Sequence, residues 1–209
     1  MDWATISALA TGGGTLALAA ATFASVRSSN RSARLAEQAL QEQRRPVLVH
    51  SRTDDRVETI PFHGGLRVTV AGGGAAVELV DDVLYLALSL RNVGAGIAVL
   101  QAWNPQDSLP TSDAQPPDVA AFRPLRRDQY IAGGDVGVWQ GALRDPADPL
   151  HAMLTGAATE RRSFSVDLLY TDQVGGQRTV SSFALLSEDD GSWLGAVGRH
   201  WYLDAVAPR

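Results

Sequence analysis

The hydrophobic pattern of the first 45 residues differs from that of the rest of the chain. From Trp3 to Val26 there are 24 consecutive residues without a formal charge. A helix of this length, at about 1.5 Å per residue, is long enough to cross a hydrocarbon core of about 30 Å. Most of its residues are Ala, Thr and Gly, which contribute little favourable transfer energy. The pattern predicts a transmembrane anchor within residues 1–27, with residues 3–26 in the lipid bilayer.

Two other interpretations of this segment stay open. A cleaved secretory signal also contains an apolar stretch, although basic residues normally precede it and this chain begins Met1-Asp2-Trp3. An Ala-rich helix buried in a soluble protein is the second alternative, because hydropathy is the main argument for a membrane span.

Residues 28–45 predict a juxtamembrane helix that continues the anchor. Leu and Ala recur there at three- and four-residue spacing, and Pro46 marks the end because a helix usually stops before the residue that precedes a proline. Residues 27–45 contain five Arg and two Glu, whereas the N-terminal side of the span contains only Asp2. The positive-inside rule therefore predicts a single-pass protein of the cell membrane, with its N-terminus outside and its C-terminal domain in the cytoplasm.

The predicted anchor contains small residues at four-residue spacing around Gly12-Gly13-Gly14, for example Ala8/Gly12 and Gly13/Ala17. This spacing allows two helices to approach closely and is compatible with a homodimer through the small-residue face of the anchor. A helix rich in Ala and Gly also contains such spacings by composition alone.

After Pro46 the chain changes to short apolar stretches separated by Gly, Pro and Asp, which is typical of β-strands. The strongest alternation lies in residues 83–91, where four Leu side chains share one face. Strands are predicted at residues 46–52, 66–70, 83–91, 97–103, 130–131, 136–143, 163–171, 178–186 and within 193–203. This series of strands, with turn signals between them, predicts a mainly β fold: an antiparallel β-sandwich over residues 46–209.

Two segments of this domain do not follow the strand pattern. Residues 104–120 are rich in Pro, Asp, Ser and Gln, and therefore predict a long surface loop. Residues 148–158 predict a short helix with Asp148 as its N-cap and Pro149 at its first position.

Two turn patterns resemble those of a known group of proteins. Residues 92–98 read N-x-G-x-G-x-A, and residues 170–175 read Y-x-D-x-x-G. Together with the anchor and the Arg-Arg-Pro at residues 44–46, this layout resembles uncharacterised bacterial single-pass membrane proteins with an immunoglobulin-like β-sandwich domain. The resemblance covers most of the chain and implies an architecture. It implies no activity and supplies no functional residues.

The turn residues themselves have a structural explanation. Asn92 is expected to bond its own main chain, and Gly94 and Gly96 are expected to permit positive φ between two strands. Asp172 and the glycines at 175 and 176 are expected to do the same at a hairpin tip.

Composition excludes several kinds of chemistry. The chain has no Cys, and all 18 of its basic residues are Arg. There is consequently no thiolate metal site and no Schiff-base or P-loop lysine. The net charge of −5 gives no reason to expect nucleic-acid binding. A cluster of Arg123, Arg126 and Arg127 predicts either a site for an acidic partner, a phosphate or a membrane face, or a charged strand edge that resists pairing.

The sequence assigns no catalytic, cofactor-binding or metal-ligating residue. The four histidines (His50, His63, His151 and His200) lack ligand spacing, and the glycines at 94 and 96 are followed by a strand rather than by the helix that a dinucleotide site needs. We therefore expect no enzyme and no cofactor, but a membrane-tethered, non-catalytic interaction or scaffold module with an unidentified protein partner. One alternative is a hydrolase or metal-dependent enzyme in which His50 or His63 meets two or more Asp. The other is an exported binding protein with a cleaved signal.

Overall fold

The computed structural model describes residues 2–111 and 113–204, and for residues 4–10 it describes the backbone alone. The chain divides into two compact units, Met1–Gln43 and Arg44–Arg209. Each unit is described by itself.

The first unit is one α-helix, α1 (Trp3–Gln43), of 41 residues. It includes the predicted anchor and most of the predicted juxtamembrane helix, and it ends before Pro46 as expected. The large apolar side chains described on this helix, from residue 16 onwards, are exposed, among them Leu16 and Phe23. No helix among the described residues is both long and apolar enough to cross a membrane. The side chain of Ala8, on the predicted small-residue face, lies outside the described part.

The second unit is mainly β, as predicted. Its described residues form the strands β1 (Leu48–His50), β2 (Glu58–Pro61), β3 (Arg67–Val70), β4 (Gly74–Val80), β5 (Val83–Asn92), β6 (Ala98–Gln106), β7 (Arg123–Ile131), β8 (Val136–Leu143), β9 (Phe164–Thr171), β10 (Thr179–Ser187) and β11 (Trp193–Tyr202). A 3-10 helix (Val119–Ala121) precedes β7, and α2 (Pro149–Thr159) lies between β8 and β9.

Nine of the strands form one antiparallel sheet in the order β1-β5-β4-β11-β10-β9-β6-β7, in which β8 pairs with β5. Strands β2 and β3 form a separate hairpin. The sheet curls so that side chains from β5 and β8 pack in one core with side chains from β6, β9, β10 and β11. The Leu residues of β5 that alternate in the sequence, Leu84 to Leu90, are fully buried in this core.

The short helix is confirmed in detail. Asp148 is the N-cap of α2 and accepts a hydrogen bond from the backbone N–H of Leu150, and Pro149 opens the helix. A carboxylate at this position satisfies one of the N–H groups that have no partner within the helix.

The strand predictions were incomplete in four places. Strands β2 and β4 were missed, and β7 extends over nine residues rather than residues 130–131. Four of the nine β7 residues are Arg or Asp, so the sequence lacks the apolar alternation that reveals a half-buried strand. Strand β6 runs to Gln106, so the long loop begins at residue 107 rather than at 104. The last residues of the predicted loop belong to the 3-10 helix. Asn104 and Pro105 pair with β9 beyond the last β6–β7 pair, at a point where a residue without an N–H is tolerated.

The prediction of positive φ at Gly94 and Gly96 was wrong, because neither lies in the left-handed region. These positions need glycine because another backbone comes close. A Cβ at Gly94 would lie 2.2 Å from the carbonyl oxygen of Arg45, and one at Gly96 would lie 1.8 Å from that of Arg44. At the other turn a positive φ is found at Gly175 (+76°) but not at Gly176, and Asp172 accepts a hydrogen bond from the N–H of Gly176.

Candidate binding groove between two edge strands

The curled sheet has two edge strands that are consecutive in the chain. Within the described residues β7 pairs only with β6, and β8 pairs only with β5. Both contribute residues to one open groove of about 650 Å³, which we call the β7–β8 groove. Its wall on the β8 side includes Gln140 to Arg144, and the β2–β3 hairpin contributes Phe62 and His63.

Trp103 lines the groove and packs against a second tryptophan, Trp139. The rings of Trp103 and Trp139 meet edge to face, with their centroids 5.3 Å apart, and both side chains are buried. Gly141 makes this packing possible, because a Cβ there would lie 2.8 Å from the ring of Trp139 and 3.3 Å from that of Trp103. The Trp103 side chain that lines the groove is therefore held in close packing.

The register of β7 changes beside the groove and places two arginines there. Gln129 pairs with Leu100 and Pro124 pairs with Ala102, so four residues of β7 lie opposite a single residue of β6. Irregular pairing of this kind is frequent at sheet edges and redirects side chains. Arg126 and Arg127 lie in this irregular stretch and are exposed. Within the described residues, no carboxylate forms a salt bridge with either of them.

The other cations of the groove have protein partners. Arg123 forms a two-pronged salt bridge with Asp148, the N-cap residue of α2, in which one N···O distance is 2.8 Å. The guanidinium of Arg123 lowers the pKa of Asp148, and the carboxylate in turn raises the pKa of Arg123. Arg144 lies over the ring of Tyr85, 5.3 Å from its centroid. Arg123 therefore orients α2, whereas Arg126 and Arg127 remain available to a partner.

The four histidines lie in different places. His50 accepts the N–H of Val197 at Nδ1, His151 contacts the carbonyl oxygen of Asp82 through Nε2, and His200 contacts Ser181. His63 shares the groove with two aspartates, but Asp148 is bound to Arg123 and to Leu150. No group of three His, Cys, Asp or Glu side chains in the described part is placed to hold a metal ion.

Ser181 and His200 belong to a buried chain of hydrogen bonds. The N–H of Leu48 donates to the hydroxyl of Tyr170, which contacts Ser181 Oγ at 2.8 Å, and Ser181 Oγ contacts His200 Nδ1 at 2.6 Å. Burial lowers the pKa of His200 and raises that of Tyr170 to about 12. Both shifts favour the neutral groups, and the tautomer of His200 decides whether Ser181 Oγ or His200 Nδ1 is the donor of this hydrogen bond. Ser181 and Tyr170 are fully buried, and the chain connects β1 to β9, β10 and β11.

Comparison with known proteins gives no assignment for this geometry. No family model matches the chain, and no curated protein matches it. Sequence reasoning singled out Arg123, Arg126 and Arg127, and the structure places all three at the groove. It missed Arg144, Gly141 and Trp103, since nothing in the local sequence indicates that β6, β7 and β8 meet around one cavity.

Proposed function

We propose that this chain is a membrane-tethered, non-catalytic interaction module whose immunoglobulin-like β-sandwich binds an extended acidic segment of a partner protein. The observation on which this depends is the pair of edge strands beside a groove that contains Arg126 and Arg127, two cations without a salt-bridge partner among the described residues.

Two properties of the groove favour an extended peptide. An edge strand has backbone N–H and C=O groups that can pair with an added strand, which is a recurring mode of peptide recognition. The positive charge of Arg126 and Arg127 stands out in a domain (residues 46–209) with 13 Arg and 20 Asp or Glu. Charge complementarity therefore selects an acidic segment, while the backbone pairs require that it be extended. A lipid headgroup would use the charge but not the strand edges.

The placement of the histidines supports a role without catalysis. A serine nucleophile needs access to its substrate, and Ser181 has no exposed surface although it contacts His200. His63 lies in the groove, but Asp148, an aspartate in the same groove that could orient it, already forms a salt bridge with Arg123.

The tether is proposed from the sequence and from α1. Leu16, Leu18 and Phe23 are each at least 70% exposed, so they have apolar surface available for lipid. The hydroxyls of Thr15 and Thr22 donate to the carbonyls four residues earlier, at 2.9 and 2.8 Å. Such bonds leave no hydroxyl proton unpaired in an apolar solvent. The arginines that follow place the β-domain on the cytoplasmic side by the positive-inside rule.

Reversing both groove charges is expected to weaken peptide binding strongly. The probe is a fluorescent decapeptide of alternating Glu and Val, titrated into the full-length chain in detergent and followed by anisotropy. Arg126→Glu/Arg127→Glu should weaken binding by at least about tenfold, since like charges across an interface cost more than 1.4 kcal/mol.

Three controls make the outcome decisive. Arg126→Lys/Arg127→Lys keeps the charges and should retain most of the affinity. A Gln/Val peptide lacks the carboxylates and should bind more weakly if charge matters. A Glu/Val peptide N-methylated at alternate residues lacks backbone N–H groups and should bind more weakly if strand pairing matters. Equal binding of the double Glu variant and the original chain would refute the groove as the site, and undiminished binding of the N-methylated peptide would refute strand addition. Self-association through the groove, detected as a dimer that Arg126→Glu/Arg127→Glu dissociates, would identify a second copy as the occupant instead.

Membrane fractionation tests the tether. The full-length chain should sediment with membranes, resist alkaline carbonate and dissolve in detergent, and a C-terminal epitope should resist protease added to intact cells. Leu16→Arg/Leu18→Arg should release it, because each charge in a span costs about 2.5–3.5 kcal/mol on the insertion scale. A chain that stays dissolved without detergent, or that lacks its first residues by intact mass, would overturn the proposal.

A further inference from the structure

A second site lies on the outer face of the sheet, away from the β7–β8 groove. Successive cross-strand partners on β6, β9, β10 and β11 are Asn104, Asp167, Ser182 and Arg199. The residues that flank Asp167 on β9, Val166 and Leu168, belong to the main core, so Asp167 faces the opposite side. Despite facing outward, Asp167 is only 4% exposed. These four residues form a polar row across the sheet. Asn104, Asp167 and Ser182 are buried under another part of the chain, whereas Arg199 at the end of the row is exposed.

The part that covers it is the connection between β6 and the 3-10 helix, described for residues 107–111 and 113–118 and called here the covering segment. Its first residues are fixed by Ser165, whose hydroxyl donates to the carbonyl of Ser108 at 2.6 Å, and by a salt bridge from Arg162 to Asp107. Gly198 on β11 allows Pro110 to approach, because a Cβ there would lie 2.5 Å from Pro110 Cγ. At the other end, Asp118 caps the 3-10 helix.

Between the polar row and the covering segment there is a cavity of about 420 Å³. Small-molecule sites typically measure about 300–1,000 Å³. Asn104, Gln106, Asp167 and Ser182 provide hydrogen-bonding groups on its floor. Leu109, Pro110 and Trp201 provide apolar surface. The first residues of the covering segment are bonded to Ser165 and Arg162, and Ala114 and Val119 pack against the Trp201 cluster on the sheet, so the segment has a fixed place over the cavity.

The charge of the cavity narrows the ligand class. Among the described residues that line it there is no Arg, Lys or His, and apart from the indole N–H of Trp201 its polar side chains are carboxyl, hydroxyl and amide groups. Burial raises the pKa of Asp167, whose carboxyl is bonded to the side chains of Ser182 and Gln106, both uncharged. A carboxyl in such surroundings accepts hydrogen bonds from ligand hydroxyls, and the side-chain amides of Asn104 and Gln106 offer both donor and acceptor groups. An ammonium ion offers donors only, whereas a hydroxyl group both donates and accepts.

We propose that the cavity between the polar row and the covering segment binds a small, neutral, polyhydroxylated molecule, such as a monosaccharide or a cyclic polyol. Asp167 and Asn104 bond to its hydroxyls, and the side chains of Trp201 and Pro110 contact its apolar C–H faces. This site is independent of the proposed partner site, because none of its lining residues belongs to the β7–β8 groove.

The test uses the full-length chain in a detergent without a sugar headgroup, with D-glucose, myo-inositol and ethanolamine as probes. Binding is followed through the indole N–H resonance of Trp201 in a ¹⁵N-labelled sample, assigned with Trp201→Phe. Glucose or inositol should shift this resonance with a dissociation constant in the millimolar range. Asp167→Asn should weaken binding by about tenfold. The carboxyl of Asp167 makes a stronger hydrogen bond to a ligand hydroxyl than the amide that replaces it.

Controls separate this site from the fold and from the other site. Asp189→Asn removes an exposed carboxylate and should leave binding unchanged, as should Arg126→Glu/Arg127→Glu. Ser182→Ala removes a hydroxyl from the same floor without adding volume, and it provides a second variant if Asp167→Asn does not fold. The proposal is overturned if neither polyol shifts the resonance, if ethanolamine alone shifts it, or if both floor variants bind as the original chain does.

Discussion

Replacing Asn92 by alanine is expected to lower the free energy of unfolding by about 3–5 kcal/mol. The Asn92 side chain is fully buried and makes four hydrogen bonds to backbone groups. Its Oδ1 accepts from Val47 and Gly94, and its Nδ2 donates to Gly96 and Ile131, at distances of 2.7 to 3.1 Å. Alanine would remove the partner of one buried backbone group, at Ile131, and of three half-buried groups, at Val47, Gly94 and Gly96. Each unpaired group that stays away from water costs about 1–3 kcal/mol, and a hydrogen bond to water reduces that cost.

Urea denaturation of the full-length chain in detergent, followed by near-ultraviolet circular dichroism, measures this loss. Asn30→Ala, an exposed position on α1, is the matched control and should change the unfolding free energy by less than about 0.5 kcal/mol. A loss below about 1 kcal/mol for Asn92→Ala would mean that water replaces the amide. The role of Asn92 in joining three segments would then be rejected.

The second large effect is expected for Gly94→Ala, at about 3 kcal/mol or more. The added Cβ would lie 2.2 Å from the carbonyl oxygen of Arg45 and 2.6 Å from the backbone nitrogen of Val47. Both neighbours are backbone atoms, so relief requires the strand entry to move. Because Asn92 bonds to Val47 and Gly94, that movement also breaks its hydrogen bonds.

Gly175→Ala is the matched control for a glycine required by its backbone angle alone. Its φ is +76°, but no atom lies within 4 Å of the added Cβ, so the expected cost is about 1–2 kcal/mol. The same denaturation measurement should rank Gly94→Ala as clearly more destabilising. The reverse order would show that the segment before β1 yields easily, and that close approach is not the reason for glycine at position 94.

These two positions show how far sequence reasoning reaches. Asn92 was expected to bond its own main chain, and its bond to Gly94 two residues later confirms this. Its bonds to Val47 and Ile131 span 45 and 39 residues, and no local pattern indicates them. Likewise, a structural need for glycine at 94 and 96 was predicted, but the reason given was a positive φ. The actual reason is the close approach of the backbone of residues 44–47.

In the candidate sites, too, some features are visible in the sequence and others are shown by the structure alone. The arginines at 123, 126 and 127 are visible in the sequence, and so is the unusual composition of the long loop. Whether those arginines are paired depends on Asp148, which is 25 residues from Arg123 and binds it while capping α2. Asp167 reads as the polar member of an alternating strand, yet the segment that precedes β7 buries it.

The sequence by itself determined the N-terminal helix and its end before Pro46, the antiparallel β character of the remainder, and the cap of α2. These features follow from hydrophobic periodicity, proline geometry and capping, which act within a few residues. The tertiary structure alone decided the edge positions of β7 and β8, the groove between them and the burial of Asp167 in the polar row. Those properties arise when strands distant in the chain pack together, since burial and the pairing of charges depend on neighbours that no local pattern specifies.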